Sequence, residues 1–190
     1  MKTRGVLYAT ASLAAIALFA TGCSSNNDSK DSSSKNNEKT EKVTKAKNKD
    51  VSNNKWTYKD DVFDAGNLTY KFTKSEIMDS VTDGKQVLVL YTDVTNNSKK
   101  EQDPSNIYMV VHAYQKTDTA NKQLDPGIVA LDENANSPLQ TQEDAMNDKL
   151  LPKKTTQGVV LFELENTNKV TVKFSNSDFK NIGSKTYSVQ

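Results

Sequence analysis

The apolar residues of the chain form one continuous run near the N-terminus and, after a long polar gap, short alternating groups. The run covers residues 6–20 and follows the basic Lys2 and Arg4. At about 15 residues it is shorter than the roughly 20 that a helix needs to cross a bilayer. A short apolar run behind a basic start is typical of a secretory signal peptide, which we predict over residues 1–22.

Small residues end this run directly before the only cysteine of the chain. Ala20, Thr21 and Gly22 precede Cys23. The segment resembles the bacterial lipobox: Thr21 and Gly22 fit the two positions before the cysteine, whereas Ala20 stands where leucine is usual. The resemblance implies that Cys23 receives a diacylglycerol thioether. It also implies cleavage between Gly22 and Cys23, which makes Cys23 the first residue of the mature protein.

A lipidated Cys23 makes the membrane a partner of the chain. Two acyl chains, each contributing about 0.8 kcal/mol per buried CH₂, give a lasting anchor. We therefore expect a lipid-anchored protein on the extracellular face of the cell membrane. The alternative is an ordinary secretory signal beside an unrelated free thiol. The single cysteine, followed at once by a polar segment, argues against that alternative.

The polar gap, residues 24–55, contains no aromatic residue, and its only apolar side chains are Val43, Ala46 and Val51. Such a segment cannot offset the entropy of ordering its backbone, so we predict a disordered tether over residues 23–55. Its random-coil span is on the order of 30 Å, and its full extension approaches ~100 Å. Eight lysines against five acids allow contact with anionic lipid or wall polymer, although a plain solvated linker explains them too.

From Trp56 onward, apolar residues alternate with polar ones between turn residues. Leu68, Tyr70 and Phe72 predict a half-buried strand by their period of two. The change of phase before Ile77 indicates a bulge in the same strand.

Five later segments predict further strands. Residues 87–94 and 107–114 are apolar on both faces, as in the interior of a sheet. The five predicted strands are 87–94, 107–114, 159–164, 170–174 and 186–189. Asp83-Gly84 predicts a turn before the first. The polar residues 165–168 predict that 159–164 and 170–174 form a hairpin.

Between these strands lies a polar, irregular stretch, residues 116–152. Within it, residues 137–147 predict one short helix, with Ser137 as its cap and Pro138 at its first position. Six or seven short strands without long crossover helices favour a mainly β fold. We predict one domain, residues 56–190, folded as an antiparallel β-sandwich.

A second resemblance covers about residues 60–176. It is carried by 70–77, 86–91, 94–96 and Leu151-Pro152. These patterns resemble the immunoglobulin-like domain of unknown function found in many Gram-positive lipoproteins. The resemblance implies an immunoglobulin-like sandwich, and because that family has no assigned activity it transfers no catalytic residue.

The composition of the chain excludes several kinds of partner and of site. Only 35% of the residues are hydrophobic, mean hydropathy is −0.72, and the part from Trp56 onward has a net charge of −4. A mildly acidic domain repels a phosphate backbone, so we expect no nucleic-acid partner. One cysteine excludes an intramolecular disulfide and a multi-cysteine metal site.

We expect no enzymatic activity and no cofactor. His112, the only histidine, lies within a predicted strand, where a packed side chain is the simpler interpretation than a catalytic one. Glycines are too sparse for a phosphate-binding loop. A hydrolase with a carboxylate pair stays an alternative. Its candidate acids are Asp60, Asp61, Glu76 and Asp79.

One spacing matches a calcium loop. Asp132, Asn134, Asn136 and Glu143 occupy positions 1, 3, 5 and 12 of that template. Ser137 stands where the loop needs glycine, however, so we predict no metal site and keep calcium as a lesser alternative.

The function predicted from these features is a non-enzymatic binding or interaction module displayed at the cell surface. The candidate ligands are a cell-wall polymer, a surface protein and a small ligand, and the candidate surface includes residues 116–152. A structural or envelope-maintenance spacer without a dedicated ligand is the alternative.

Overall fold

The alternating and doubly apolar segments form two antiparallel sheets in the computed structural model, which describes residues 54–189. Nine strands, one 3-10 helix (Pro104–Met109) and one α-helix, α1 (Gln140–Asn147), make up this region. The strands are β1 (Thr57–Lys59), β2 (Val62–Ala65), β3 (Leu68–Asp79), β4 (Gln86–Asn96), β5 (Val111–Lys116), β6 (Asn121–Gln123), β7 (Thr155–Glu163), β8 (Val170–Ser175) and β9 (Asn181–Tyr187).

The first sheet has the order β1-β2-β3-β4-β7 and the second has the order β6-β5-β8-β9. Their facing side chains share one core. The ring of Phe174 on β8 lies 5.4 Å from that of Phe63 and 5.5 Å from that of Phe72, both on the first sheet. Tyr58 on β1 stacks on the same ring at 3.7 Å. The predicted antiparallel β-sandwich is confirmed, and its likeness to immunoglobulin domains stays a prediction.

Local sequence signals were reliable for β3 and β4. The register of β3 against β4 shifts between Phe72 and Lys74, where the phase change indicated a bulge. Gly84 has φ 71° in the turn between the strands, a conformation that glycine adopts without steric cost. Strand β4 lies between β3 and β7, and residues 87–90 are all buried.

The predicted strand over 107–114 is wrong in its first half. Residues 104–109 form the 3-10 helix, and β5 begins at Val111. Asp103 accepts a hydrogen bond from the Ser105 backbone N–H at 3.1 Å. Pro104, which has no N–H to donate, occupies the first turn. This capping outweighs the apolar pattern of the residues that follow.

The predicted hairpin of 159–164 and 170–174 is also wrong. Strand β7 pairs with β4 in the first sheet, whereas β8 pairs with β5 and β9 in the second. The connection between them therefore crosses from one sheet to the other. Buried Gln115 of β5 accepts from the Glu165 N–H at 2.8 Å and donates to the carbonyls of Asn166 and Asn168 at 3.0 and 2.6 Å.

Three smaller predictions need correction. Helix α1 begins at Gln140 with Leu139 as its N-cap, so Ser137 and Pro138 precede it. The Ser137 hydroxyl accepts instead from the Leu139 N–H at 3.1 Å, in the turn before the helix. The last strand is β9, which starts at Asn181 rather than 186. The short strands β1, β2 and β6 bring the described total to nine.

The predicted signal peptide, the Cys23 anchor and the tether lie outside the described residues. Within residues 54–189, no helix has the length and hydropathy needed to cross a membrane.

Candidate functional site

Among the site residues predicted from sequence, Gly22 and Cys23 lie outside the described residues. His112 lies half-buried on the outer face of β5, opposite Lys173 of β8 and on the same face as Tyr114. The Lys173 ammonium lies 4.7 Å from the centre of the Tyr114 ring. The packed strand position expected for His112 is what the structure shows.

Two of the four acids considered for a hydrolase, Asp61 and Glu76, are engaged in separate pairs, whereas Asp60 and Asp79 are exposed. Asp61 lies in the β1–β2 turn, where its carboxylate accepts from Lys185 at 2.7 Å and from the Tyr58 hydroxyl at 3.1 Å. Glu76 accepts from Lys74 and from the Tyr91 hydroxyl. The bond from Lys185 lowers the pKa of Asp61, and the bond from Lys74 lowers that of Glu76. Carboxyls with lowered pKa stay ionised at neutral pH, whereas a general acid must hold a proton.

The four residues that match the calcium template lie in two separate places, an exposed loop and helix α1. The Asp132 carboxylate accepts from the N–H groups of Asn134 at 2.8 Å and Asn136 at 2.9 Å. Bonding to the Asn136 N–H lowers the pKa of Asp132. Glu143 lies on α1 and lines a pocket to which the other three residues do not contribute. Within residues 54–189, no three His, Cys, Asp or Glu side chains are grouped to hold a metal ion.

The pocket beside Glu143 has a volume of about 290 Å³, and we call it the Tyr108–Glu143 pocket. Its lining comes from the 3-10 helix, the segment after β6, helix α1 and strand β7. The lining residues are Ser105, Tyr108, Gly127, Ile128, Glu143, Met146, Asn147, Val159 and Leu161. Five of these nine belong to 116–152, the stretch predicted to carry the binding surface.

One wall of the pocket is helix α1 packed on β7. Gly158 permits this approach, because a Cβ atom there would overlap the sulfur of Met146. Met146 is buried at this contact, one helical turn beyond Glu143. The packing of Met146 therefore fixes the side of α1 that carries Glu143.

A second wall is the 3-10 helix. The Tyr108 hydroxyl accepts from the Leu161 N–H of β7 at 2.9 Å, which holds the ring against the sheet edge. Asp103 accepts from the Ser105 hydroxyl at 2.7 Å and from Lys149, just after α1, also at 2.7 Å. These bonds, led by that from Lys149, lower the pKa of Asp103. Asp103 thus joins the two walls.

The segment around Gly127 closes the remaining side. The Gly127 N–H donates to the Leu161 carbonyl at 3.2 Å, and the Glu163 N–H donates to the Asp125 carbonyl at 3.0 Å. A Cβ at Gly127 would lie 2.9 Å from both the Glu163 nitrogen and a Val87 methyl carbon. Only glycine allows so close an approach, and it leaves the next residue, Ile128, 57% exposed.

Glu143 provides a hydrogen-bond acceptor in this largely apolar pocket. Its Oε1 atom is shielded from solvent and has no hydrogen-bond partner among the described residues. Burial raises the pKa of Tyr108, so its hydroxyl stays protonated. An unpaired, shielded carboxylate oxygen is costly to the folded state. It is therefore a functional candidate, since a ligand that donates to it would recover that cost.

A family model matches residues 21–176 of the chain. The chain belongs to the family described as Domain of unknown function (DUF5067). The match to DUF5067 contains every residue that lines the pocket. No curated protein matches the chain.

Two solved structures resemble this DUF5067 chain. One, described as a candidate lipoprotein of Staphylococcus aureus, has 17% identity and a TM-score of 0.62, covering 71% of this chain and 92% of its own. The other, a protein from Enterococcus faecalis, has 18% identity and a TM-score of 0.58, covering 71% and 94%. At these identities the likeness shows a shared fold.

Sequence reasoning did not find the pocket. Tyr108 falls within a predicted strand, and the pattern around Glu143 indicates only a helix and the last position of a calcium-loop template. The capping signal of Asp103-Pro104-Ser105 was available for the 3-10 helix. No local signal brings that helix beside α1.

Proposed function

We propose that this DUF5067 protein is a lipoprotein anchored through Cys23 on the extracellular face of the cell membrane. The observation that carries the proposal is the sequence of residues 1–23. A basic start, a short apolar run and two small residues lead directly to the only cysteine. The Staphylococcus aureus protein of similar fold is itself described as a candidate lipoprotein, which supports the anchoring.

We further propose that the anchored domain is a non-enzymatic binding module and that the Tyr108–Glu143 pocket is its binding site. The shielded, unpaired Glu143 oxygen supports this choice. The lowered pKa values of Asp61 and Glu76 argue against a general-acid role for either.

The anchor is tested by Cys23→Ser, with Ser24→Ala as the matched control on the next residue. In the producing cell, the serine variant should leave the membrane fraction or accumulate as uncleaved precursor, because no thioether can form. The control should fractionate like the original chain. A block of the lipoprotein signal peptidase should also stop processing. Normal processing under that block would overturn the lipoprotein assignment.

The binding role is tested by cross-linking on intact cells. Deleting 116–152 is unsuitable, because α1 and its Met146 contact with β7 would be lost with the loop. A point variant avoids that loss, and Glu143→Gln changes the charge of the pocket with little change in side-chain shape. Capture of one molecular class by the original chain and its loss in Glu143→Gln would support a binding module. Equal capture by both would place binding elsewhere, and no capture would favour the spacer alternative.

A further inference from the structure

We propose that the Tyr108–Glu143 pocket binds a primary ammonium group carried on an unbranched aliphatic stem. The inference rests on the proposed binding function and names the ligand class for the same site. A free alkylamine and the side chain of a lysine in a peptide are two sources of this chemistry.

The charge of the ligand follows from Glu143. Glu143 takes part in none of the salt bridges among residues 54–189. No lysine or arginine lines the pocket, so the charge of the carboxylate is not balanced locally. A cationic ligand would balance it and supply the missing donor to Oε1.

Two hydroxyl oxygens that line the pocket can also accept from a donor on the ligand. The Ser105 hydroxyl gives its hydrogen to Asp103, which leaves its oxygen as an acceptor. The Tyr108 hydroxyl oxygen accepts from Leu161 and keeps a second lone pair. Acceptors from three separate side chains suit the three N–H bonds of an ammonium group. A guanidinium instead prefers two oxygens of one carboxylate in its own plane.

The stem follows from the apolar lining. Met146, Val159 and Leu161 are buried in the walls, while Ile128 is 57% exposed at the rim. An aliphatic stem would cover Ile128 and remove apolar surface from water, at about 25 cal/mol per Å². A bare ammonium ion or a hydrophilic polyamine would gain little from these side chains. The pocket therefore combines an anionic end with an apolar entrance.

The test is a titration of the full chain, purified from membranes in detergent and labelled with ¹³C at the methionine methyl groups. The probes are n-butylammonium chloride, butan-1-ol as the uncharged analogue with the same stem, and Nα-acetyl-lysine amide as the lysine source. Met146 reports on the pocket. Met78 on β3 does not line the pocket and is the internal reference.

Glu143→Gln and Asp144→Asn are the matched variants, because each removes one negative charge from α1. Asp144 does not line the pocket; it accepts from Gln140 at 2.8 Å on the exposed side of the helix. We expect n-butylammonium to shift Met146 and not Met78. Glu143→Gln should weaken that binding by about tenfold or more, while Asp144→Asn should leave it within about twofold. Both variants should melt within a few degrees of the original chain.

Several results would overturn the inference. Equal weakening by the two variants would mean general attraction to an acidic helix. Equal affinity for butan-1-ol would mean an apolar pocket without charge selection, and no Met146 shift with any probe would exclude the ligand class. Binding of the lysine amide without n-butylammonium would instead support the ammonium site and assign it to peptide lysines. Cross-linking on intact cells tests the binding function without assuming a ligand class, so a failed titration beside Glu143-dependent capture would overturn the ammonium ligand and leave the binding function standing.

Discussion

At the scale of single residues, the buried side chain of Asn96, at the end of β4, forms hydrogen bonds that hold two loops of the sandwich together. Its side chain is 0% exposed. The amide nitrogen donates to the carbonyls of Lys100 and Leu150 at 2.8 Å each, and the amide oxygen accepts from the N–H and hydroxyl of Ser98 at 2.9 and 2.8 Å. The amide thus uses both hydrogens and both lone pairs. It secures the loop that leaves the first sheet and the loop that returns to it.

We therefore expect Asn96→Ala to lower the free energy of unfolding by about 2–4 kcal/mol, because it removes four hydrogen bonds and leaves the buried Ser98 N–H without its acceptor. Asn97→Ala is the matched control: that side chain is half-buried and makes one bond, to Thr69 at 2.8 Å. Its loss should cost less than about 1 kcal/mol. Urea denaturation of both variants measures the difference. Similar losses would show that Asn96 does not hold the two loops.

At the scale of elements, the crossover from β7 to β8 depends on a residue from a third strand. Gln115 is 0% exposed and bonds three backbone groups of residues 165–168. The crossover must satisfy its own backbone while passing between sheets, where no neighbouring strand can pair with it. Gln115 supplies the partners that a hairpin would have supplied by itself.

Gln115→Ala should consequently destabilise the domain by about 2–4 kcal/mol. It should also raise the hydrogen exchange of residues 165–168 more than that of β4. Gln123→Ala is the control, since Gln123 on β6 is exposed and accepts only from the Tyr114 hydroxyl at 3.1 Å. Unfolding titrations and amide exchange of both variants provide the measurement. Unchanged exchange at 165–168 would show that the crossover is held by other contacts.

The same crossover shows where sequence reasoning succeeded and failed. The period of two in 68–72 and 170–174 depends on the burial of one face, and both segments are strands. The choice of strand partner depends on residues far apart in the chain, such as the pairing of Leu90 with Val160. A polar turn such as 165–168 has the same composition whether it closes a hairpin or crosses between sheets. Local pattern therefore predicted the strands and the sandwich, but not this connection.

At the scale of the whole molecule, the two candidate sites differ in whether the sequence alone can predict them. The proposed Cys23 anchor depends on the contiguous residues 1–23, so a local pattern predicts it. The Tyr108–Glu143 pocket combines segments around residues 105, 127, 143 and 160, which become neighbours only after both sheets have formed. Its lining also contains no motif, because its chemistry comes from the isolation of one carboxylate. A site of this kind can be found only in the folded structure.

An ion network at one end of the sandwich links the two sheets and should make stability depend on pH. Glu165, at the start of the β7–β8 crossover, accepts from Lys122 of β6 at 2.6 Å and from Lys85, just before β4, at 3.2 Å. The bond from Lys122, with that from Lys85, lowers the pKa of Glu165 below its usual 4.5. The folded state therefore favours the ionised form. The resulting stabilisation is complete above pH 4.5 and is lost as the pH falls through the lower, folded-state pKa.

Glu165→Gln tests whether the charge of Glu165 makes the stability of the domain depend on pH. We expect the variant to be less stable than the original chain at pH 7, by about 1 kcal/mol or less because the side chains are partly exposed. The difference should shrink as the pH falls below 4.5, since the original chain then loses its own carboxylate charge. Glu133→Gln is the matched control, an exposed acid without a salt bridge among residues 54–189. Thermal melts of the three proteins between pH 7 and pH 3 measure the effect. A constant difference across that range would mean that Glu165 acts through its backbone and packing rather than its charge.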